Sequence, residues 1–306
     1  MFASAAAQSG IYFACVEAGG TKFNCELVDG DGRSVAQAVF PTQTPEETLP
    51  RVVHFFQSLA LRPQAMGIAC FGPVELDRAS PDYGCITHTP KPGWANTSIA
   101  RYFEQALRIP VAFDTDVNGA LLGEVACGAA SGCDHAVYMT VGTGIGAGVL
   151  VNGCLLQGIA HPEIGHMLLP RAMNDDFSGC CPFHGDCLEG MASGAALVKR
   201  WGNPRQLPED HYGWVIQTFY LAALCVNLTH LFAPQKIVFG GGVMQQPHLL
   251  ARVRREFLRL IHGYTAPQVL AAVDDYLVAT GLEGRAGVLG CWVMADTLWK
   301  SRIRLA

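Results

Sequence analysis

The chain has 306 residues, half of them apolar and 15% charged, with a formal net charge of −5. That length allows two domains of ordinary size, and the apolar share predicts a well-buried globular protein. No basic block offers an electrostatic footprint for nucleic acid, no uninterrupted apolar run approaches the ~20 residues of a membrane span, and the start MFASAAAQSG lacks the pattern of a signal peptide, so a cytoplasmic protein with small-molecule partners is expected. The cysteines Cys15, Cys70, Cys127, Cys225 and Cys291 lie scattered in apolar segments and read as free thiols rather than a disulfide scaffold; only Cys180, Cys181 and Cys187 cluster.

In chain order, IYFACV at 11–16 reads as a buried strand. Glu17-Ala18-Gly19-Gly20-Thr21-Lys22 follows, then a second strand that ends at the hairpin signal Asp29-Gly30-Asp31-Gly32. The glycines therefore fall in a turn between antiparallel strands, unlike a P-loop, yet such a turn lets backbone N–H groups approach an anion, with Thr21 and Lys22 adding polar contacts. Thr44-Pro45-Glu46-Glu47 starts a helix that runs to about residue 61, and MGIACF at 66–71 is the next strand, ended by Gly72-Pro73. The long loop from 74 to 94 closes with Thr89-Pro90-Lys91-Pro92-Gly93-Trp94; a stiff rim with one aromatic suits sugar stacking, and a packed tryptophan in a proline-stiffened connection fits equally well.

A helix over 98–107 and a strand over 109–113 lead into Asp114-Thr115-Asp116-Val117-Asn118-Gly119, before a helix at 120–127. Polar residues at the carboxyl end of a strand are where open α/β sheets bind ligands. Asp116 alone could be an N-cap, but two aspartates and an asparagine exceed what one cap needs. After a strand at 135–141 comes Gly142-Thr143-Gly144-Ile145-Gly146-Ala147-Gly148, followed by another strand and the turn Asn152-Gly153, a weak repeat of the first hairpin. A dinucleotide fingerprint would have to open a helix here, so that reading is rejected.

His166, Cys181, His184 and Cys187, with a C-x2-H-x2-C tail, supply imidazole and thiolate donors suited to tetrahedral zinc. A filled shell leaves no position for activated water, so the metal reads as structural. Cys180 is an alternative to Cys181, and His161 to His166. Glu163 and Glu189 flank the cluster and would be pinned by it. Further on, helices are expected at 215–232, 248–262 and 287–302, a strand at 235–239 followed by Gly240-Gly241-Gly242, and a weak strand at 269–271. The triple glycine allows either a flat base on bare backbone or a tight crossover.

Together these residues resemble the ROK family of sugar kinases, in the actin/hexokinase/Hsp70-like ATPase superfamily, over the chain from residue 11 onward. Thr89-Pro90-Lys91-Pro92-Gly93-Trp94 and the loop Cys181-Pro182-Phe183-His184-Gly185-Asp186-Cys187-Leu188-Glu189 are most similar to the bacterial fructokinase branch. The resemblance implies two ribonuclease-H-like (actin-like ATPase) domains with mixed sheets flanking an interdomain cleft: residues 1–116, rejoined by 288–306, and residues 117–287. It implies ATP with Mg2+ at Glu17, Gly19, Gly20, Thr21, Lys22, Gly142, Thr143, Gly144 and Gly146, and adenosine by Gly240, Gly241 and Gly242. Asp116 matches the general base; Glu163, Glu189 and His166, with Asn118, Gly72 and Asn96, match sugar-site positions; and Zn2+ would sit at His166, Cys181, His184 and Cys187. Glu17 stands where aspartate is usual, which keeps the carboxylate on a longer arm.

The implied activity is transfer of the ATP γ-phosphoryl group to a hexose 6-hydroxyl, fructose first, in a homodimer. The alternatives are a mannose or glucose kinase and a sugar-sensing regulator; about ten residues before the first strand leave no room for a helix-turn-helix domain.

Overall fold

The computed structural model describes residues 10–305, so the start read above as lacking a signal peptide lies outside them. The chain forms two compact units, one comprising the stretch up to Gly119 together with the stretch from Gly287, the other Ala120–Ala286.

The first unit is built on β1 (Tyr12–Ala18), β2 (Lys22–Asp29), β3 (Ser34–Pro41), α1 (Pro45–Ser58), β4 (Ala65–Cys70), the short pair β5 (Cys85–Ile86) and β6 (Thr97–Ser98), α2 (Ile99–Leu107), β7 (Val111–Thr115) and the start of α3 (Asp116–Cys127). Its sheet runs β3-β2-β1-β4-β7, antiparallel through the first three strands and parallel from β1 outward. Apolar runs without alternation mark β1 and β4 as central strands covered on both faces. On one face Val52, Phe56 and Phe103 pack against Val16, Phe23 and Ile68. On the other, Phe13, Cys15 and Val28 meet Val288, Cys291 and Ala295 of the last helix. That face admits the helix because Gly67 has no side chain; a Cβ there would overlap the backbone of Cys291.

The second unit holds β8 (Ala136–Val141), β9 (Ile145–Val151), β10 (Cys154–Leu155), α4 (Leu188–Ala192), α5 (Gly194–Trp201), α6 (Tyr212–Phe232), β11 (Lys236–Gly240), α7 (Leu249–Ile261), α8 (Pro267–Ala271), α9 (Val273–Tyr276) and β12 (Leu277–Ala279); α10 (Ala286–Leu305) then returns to the first unit. Its sheet order is β10-β9-β8-β11-β12, again antiparallel through three strands and parallel beyond. The weak sequence repeat is thus a repeat of topology. The helix α6 has the length and apolarity of a membrane span, but Trp214, Tyr220, Leu221, Leu224 and Leu228 are buried in this unit's core.

One expectation is corrected, and one left open is decided in favour of the packed reading. The segment read as a strand at 269–271 lies in α8, because Pro267 presets the first turn of a helix; the fifth strand is Leu277–Ala279, too short to show a period. Trp94 is fully buried, donates from Nε1 to the Gln43 carbonyl at 2.7 Å, and packs on Phe23 and Phe71, so it has no face to offer a sugar.

Candidate active site

The first glycine turn joins β1 to β2. Gly19 N–H donates to the Lys22 carbonyl at 3.0 Å, and Thr42, just past β3, braces the turn by donating from N to Thr21 O and from Oγ1 to Gly19 O. Gly20, Thr21 and Lys22 are exposed, and a Cβ on Gly20 would meet nothing. Glu17 belongs to β1 rather than to the turn, and its Oε2 accepts from Asn24 Nδ2 at 2.6 Å. Burial pushes its carboxyl pKa up, against the opposing pull of that hydrogen bond and of Lys22.

Asp116 is the first residue of α3, four positions earlier than the sequence expectation, at the carboxyl end of β7. Its Oδ1 accepts from Val117 N at 2.9 Å. The neighbouring Asp114 accepts from Thr115 N and from Asn118 Nδ2, both at 2.7 Å, and Asn118 is itself buried. Asn118 N also donates to Thr115 Oγ1. The polar cluster is therefore a braced helix start that carries Asp116 half-exposed on it. Gly72 follows β4, and the exposed Asn96 sits at φ 60°.

In the second unit, His166, Cys181, His184 and Cys187 present donor atoms that all lie within 4.8 Å of one another. Nδ1 of His166 is 3.6 Å from Cys181 Sγ, 3.5 Å from Cys187 Sγ and 3.3 Å from His184 Nδ1; Cys181 Sγ to His184 Nδ1 is 3.7 Å. Zinc with ordinary Zn–S and Zn–N bonds has tetrahedral edges of about 3.3–3.8 Å, so the donor set fits that ion. Cys181, not Cys180, joins the cluster. His161 instead lies 3.6 Å from Glu163. The loop is folded by left-handed Gly179 and Gly185, by paired Cys181 and Gly185 backbones, and by Arg171 holding Asp186 at 2.8 Å.

The second glycine turn, between β8 and β9, is tied to the segment just after this cluster. Gly142 O accepts from Gly194 N at 2.7 Å, Thr143 O from Ala195 N at 3.3 Å, and Ile145 N donates to Glu189 Oε2 at 2.9 Å. The N–H groups of Thr143 and Gly144 carry no hydrogen bond among the described residues, which leaves two donors for an anion. Gly146 continues into β9, so the motif opens a strand and not a helix. Gly240 is buried under Tyr138, Gly241 (φ 90°) lies against the end of β8, and only Gly242 is bare, next to Val243, which approaches Gly194. The tie through Glu189 was not foreseen from sequence; nothing local signals a bond between residues 44 apart.

Two mixed sheets of one strand order, each opening on a glycine–threonine turn, define an α/β protein of the actin-like ATPase fold. The chain belongs to the ROK family, which matches over residues 13–297. It is 45% identical to a fructokinase of Zymomonas mobilis, over 92% of this chain and 96% of that one. A ROK hexokinase from Thermus thermophilus superposes with a TM-score of 0.76 at 27% identity, covering 95% of this chain and all of that one. A ROK glucokinase from Streptomyces griseus, solved with glucose and AMPPNP, gives 0.75 at 25% identity, over 94% of this chain and 99% of that one.

Proposed function

We propose that this protein is an ATP-dependent sugar kinase that phosphorylates the 6-hydroxyl of fructose. The observation that carries the reading is the near end-to-end likeness to the Zymomonas fructokinase. The unpaired Thr143 and Gly144 N–H groups and the exposed Gly20–Lys22 turn support it as seats for phosphate oxygens. Phosphoryl transfer runs through a loose transition state, so positioning and charge stabilisation carry most of the rate. Asp116 accepts the proton of the sugar hydroxyl, its carboxylate oriented by the Val117 N–H. Glu163, Glu189 and His166 bind sugar hydroxyls, and Gly72, Asn96 and Asn118 of the first unit are further sugar-binding candidates; the Asn118 amide is already donated to Asp114. Gly19, Gly142 and Gly146 shape the phosphate turns, and the triple glycine lies by adenosine. Glu17 is the residue that would hold Mg2+, which would supply charge neutralisation for the phosphates.

His166, Cys181, His184 and Cys187 would hold Zn2+ in a closed shell, which keeps the Glu163–Glu189 segment in shape and takes no part in the reaction. We also propose a cytoplasmic homodimer.

The test is ADP release with Mg-ATP over fructose, mannose, glucose and N-acetylmannosamine, with zinc determined on the same sample. Strong turnover on fructose is expected, with one zinc per chain. Turnover confined to another hexose would discard the fructose assignment, and none on any sugar would discard the kinase.

A further inference from the structure

The carboxylate of Glu189 has two oxygens in different situations. Oε2 accepts the Ile145 N–H at 2.9 Å, directly after the second glycine turn. That oxygen would lie 2.5 Å from a Cβ on Gly144, so only glycine admits the approach. Oε1 has no hydrogen-bond partner among the described residues and is half-exposed with its side chain. The residue stands in the first turn of α4, two residues after Cys187, and α4 also fixes the cysteine loop through the Cys180 N–H to Gly190 O bond at 3.0 Å. A second, independent tie lies nearby: Gly165, beside His166, packs so closely on the Ile145 carbonyl that a Cβ there would overlap it.

We propose that Glu189 is a positioning residue for the phosphate-binding turn as well as a sugar ligand, so that one carboxylate couples the sugar site to the nucleotide site. The inference rests on the kinase reading above for the identity of the two ligands. Oε2 fixes the ladder at the point where the chain leaves the turn, and thereby aims the Thr143 and Gly144 N–H groups. A sugar hydroxyl donating to Oε1 locks the same carboxylate in its orientation, since an occupied Oε1 cannot swing away from Ile145. Sugar binding then stiffens the turn before ATP arrives, and the affinity of each ligand rises when the other is bound.

The two roles need different chemistry, which makes them separable. Glutamine keeps a carbonyl oxygen for the Ile145 N–H but can present an amide NH2 where the sugar needs an acceptor. Alanine removes both contacts, and aspartate is too short to reach Ile145. The affinity of Mg·AMPPNP is measured by calorimetry without sugar in the wild type and in Glu189→Gln, Glu189→Ala and Glu189→Asp, with thermal unfolding to establish that each is folded. Amide exchange is followed over residues 142–149, and KM is measured for each substrate. Alanine and aspartate are expected to weaken the nucleotide analogue roughly tenfold and to speed exchange at the turn, since a charge-assisted hydrogen bond is lost. Glutamine is expected to leave both near wild type while the fructose KM rises. Unchanged nucleotide affinity and exchange in folded Glu189→Ala or Glu189→Asp, with only the sugar KM raised, would overturn the proposal. A wild type that binds the analogue but turns over no sugar would sink the kinase reading instead, and the exchange and affinity comparison would still decide the positioning role.

Discussion

At the scale of single residues, Asp116 carries the proposed chemistry and Asp175 carries stability. Replacing Asp116 by asparagine keeps the shape and the Val117 contact but removes the proton acceptor; turnover is expected to fall by about 10^2–10^4-fold with an unchanged melting temperature. Wild-type turnover in that variant would remove Asp116 from the mechanism. Asp175 is buried and pairs with Arg200, whose side chain is only 8% exposed, at 2.5 and 3.1 Å, while Tyr220 donates to it at 2.8 Å. Burial pushes its carboxyl up, but Arg200 and Tyr220 outweigh that and hold the pKa below the usual carboxylate value. A folded pKa below the unfolded one stabilises fully above the unfolded value, and the stabilisation is lost as pH falls through the depressed one. Asp175→Asn should therefore flatten the acid limb of a stability–pH curve. At neutral pH it should also cost about 3–5 kcal/mol in denaturant unfolding, because Arg200 is left buried without its partner. The position of Asp116, in a polar cluster at a strand end, was legible in the sequence. The Asp175 pair was not, since its partner and its burial are set by tertiary packing.

Among the elements, the strands around each glycine turn were readable because hairpin signals and apolar runs are local. The fifth strand of the second sheet, with three residues, was not, and a proline-led helix beside it took its place in the reading. Trp94 could be placed either on a rim or in a core until its neighbours Phe23 and Phe71 were known. Close backbone approach is equally hidden from sequence. Gly290 of α10 meets the first turn of α3 where a Cβ would overlap the Gly119 carbonyl. Gly290→Ala is expected to cost at least about 1–3 kcal/mol, the usual range for overpacking, although alanine is the better helix former. A melting temperature at or above that of the wild type would show that the two helices part without strain.

For the molecule as a whole, the cluster of His166, Cys181, His184 and Cys187 makes stability depend on solution conditions. An ion bound only by the folded chain adds about 2.7 kcal/mol at a free concentration of 100 times its dissociation constant. The melting temperature should accordingly climb with buffered free zinc and fall under a chelator, and a sample verified as metal-free that melts like the loaded one would argue against a structural metal. The same donors were legible as a motif, and the choice of Cys181 over its neighbour became visible only when the loop was folded. The first unit is discontinuous, with its sheet face of Phe13, Cys15 and Val28 covered by Val288, Cys291 and Ala295. During translation the residues of the second unit, 120–286, are all made before that cover exists. At about 5–20 residues per second the wait lasts many seconds, with an apolar sheet face waiting on the ribosome for its last helix. A nonsense codon between the end of β7 and Val288 would leave that face bare for good, so quality control, rather than lost activity, would decide the fate of the truncated product.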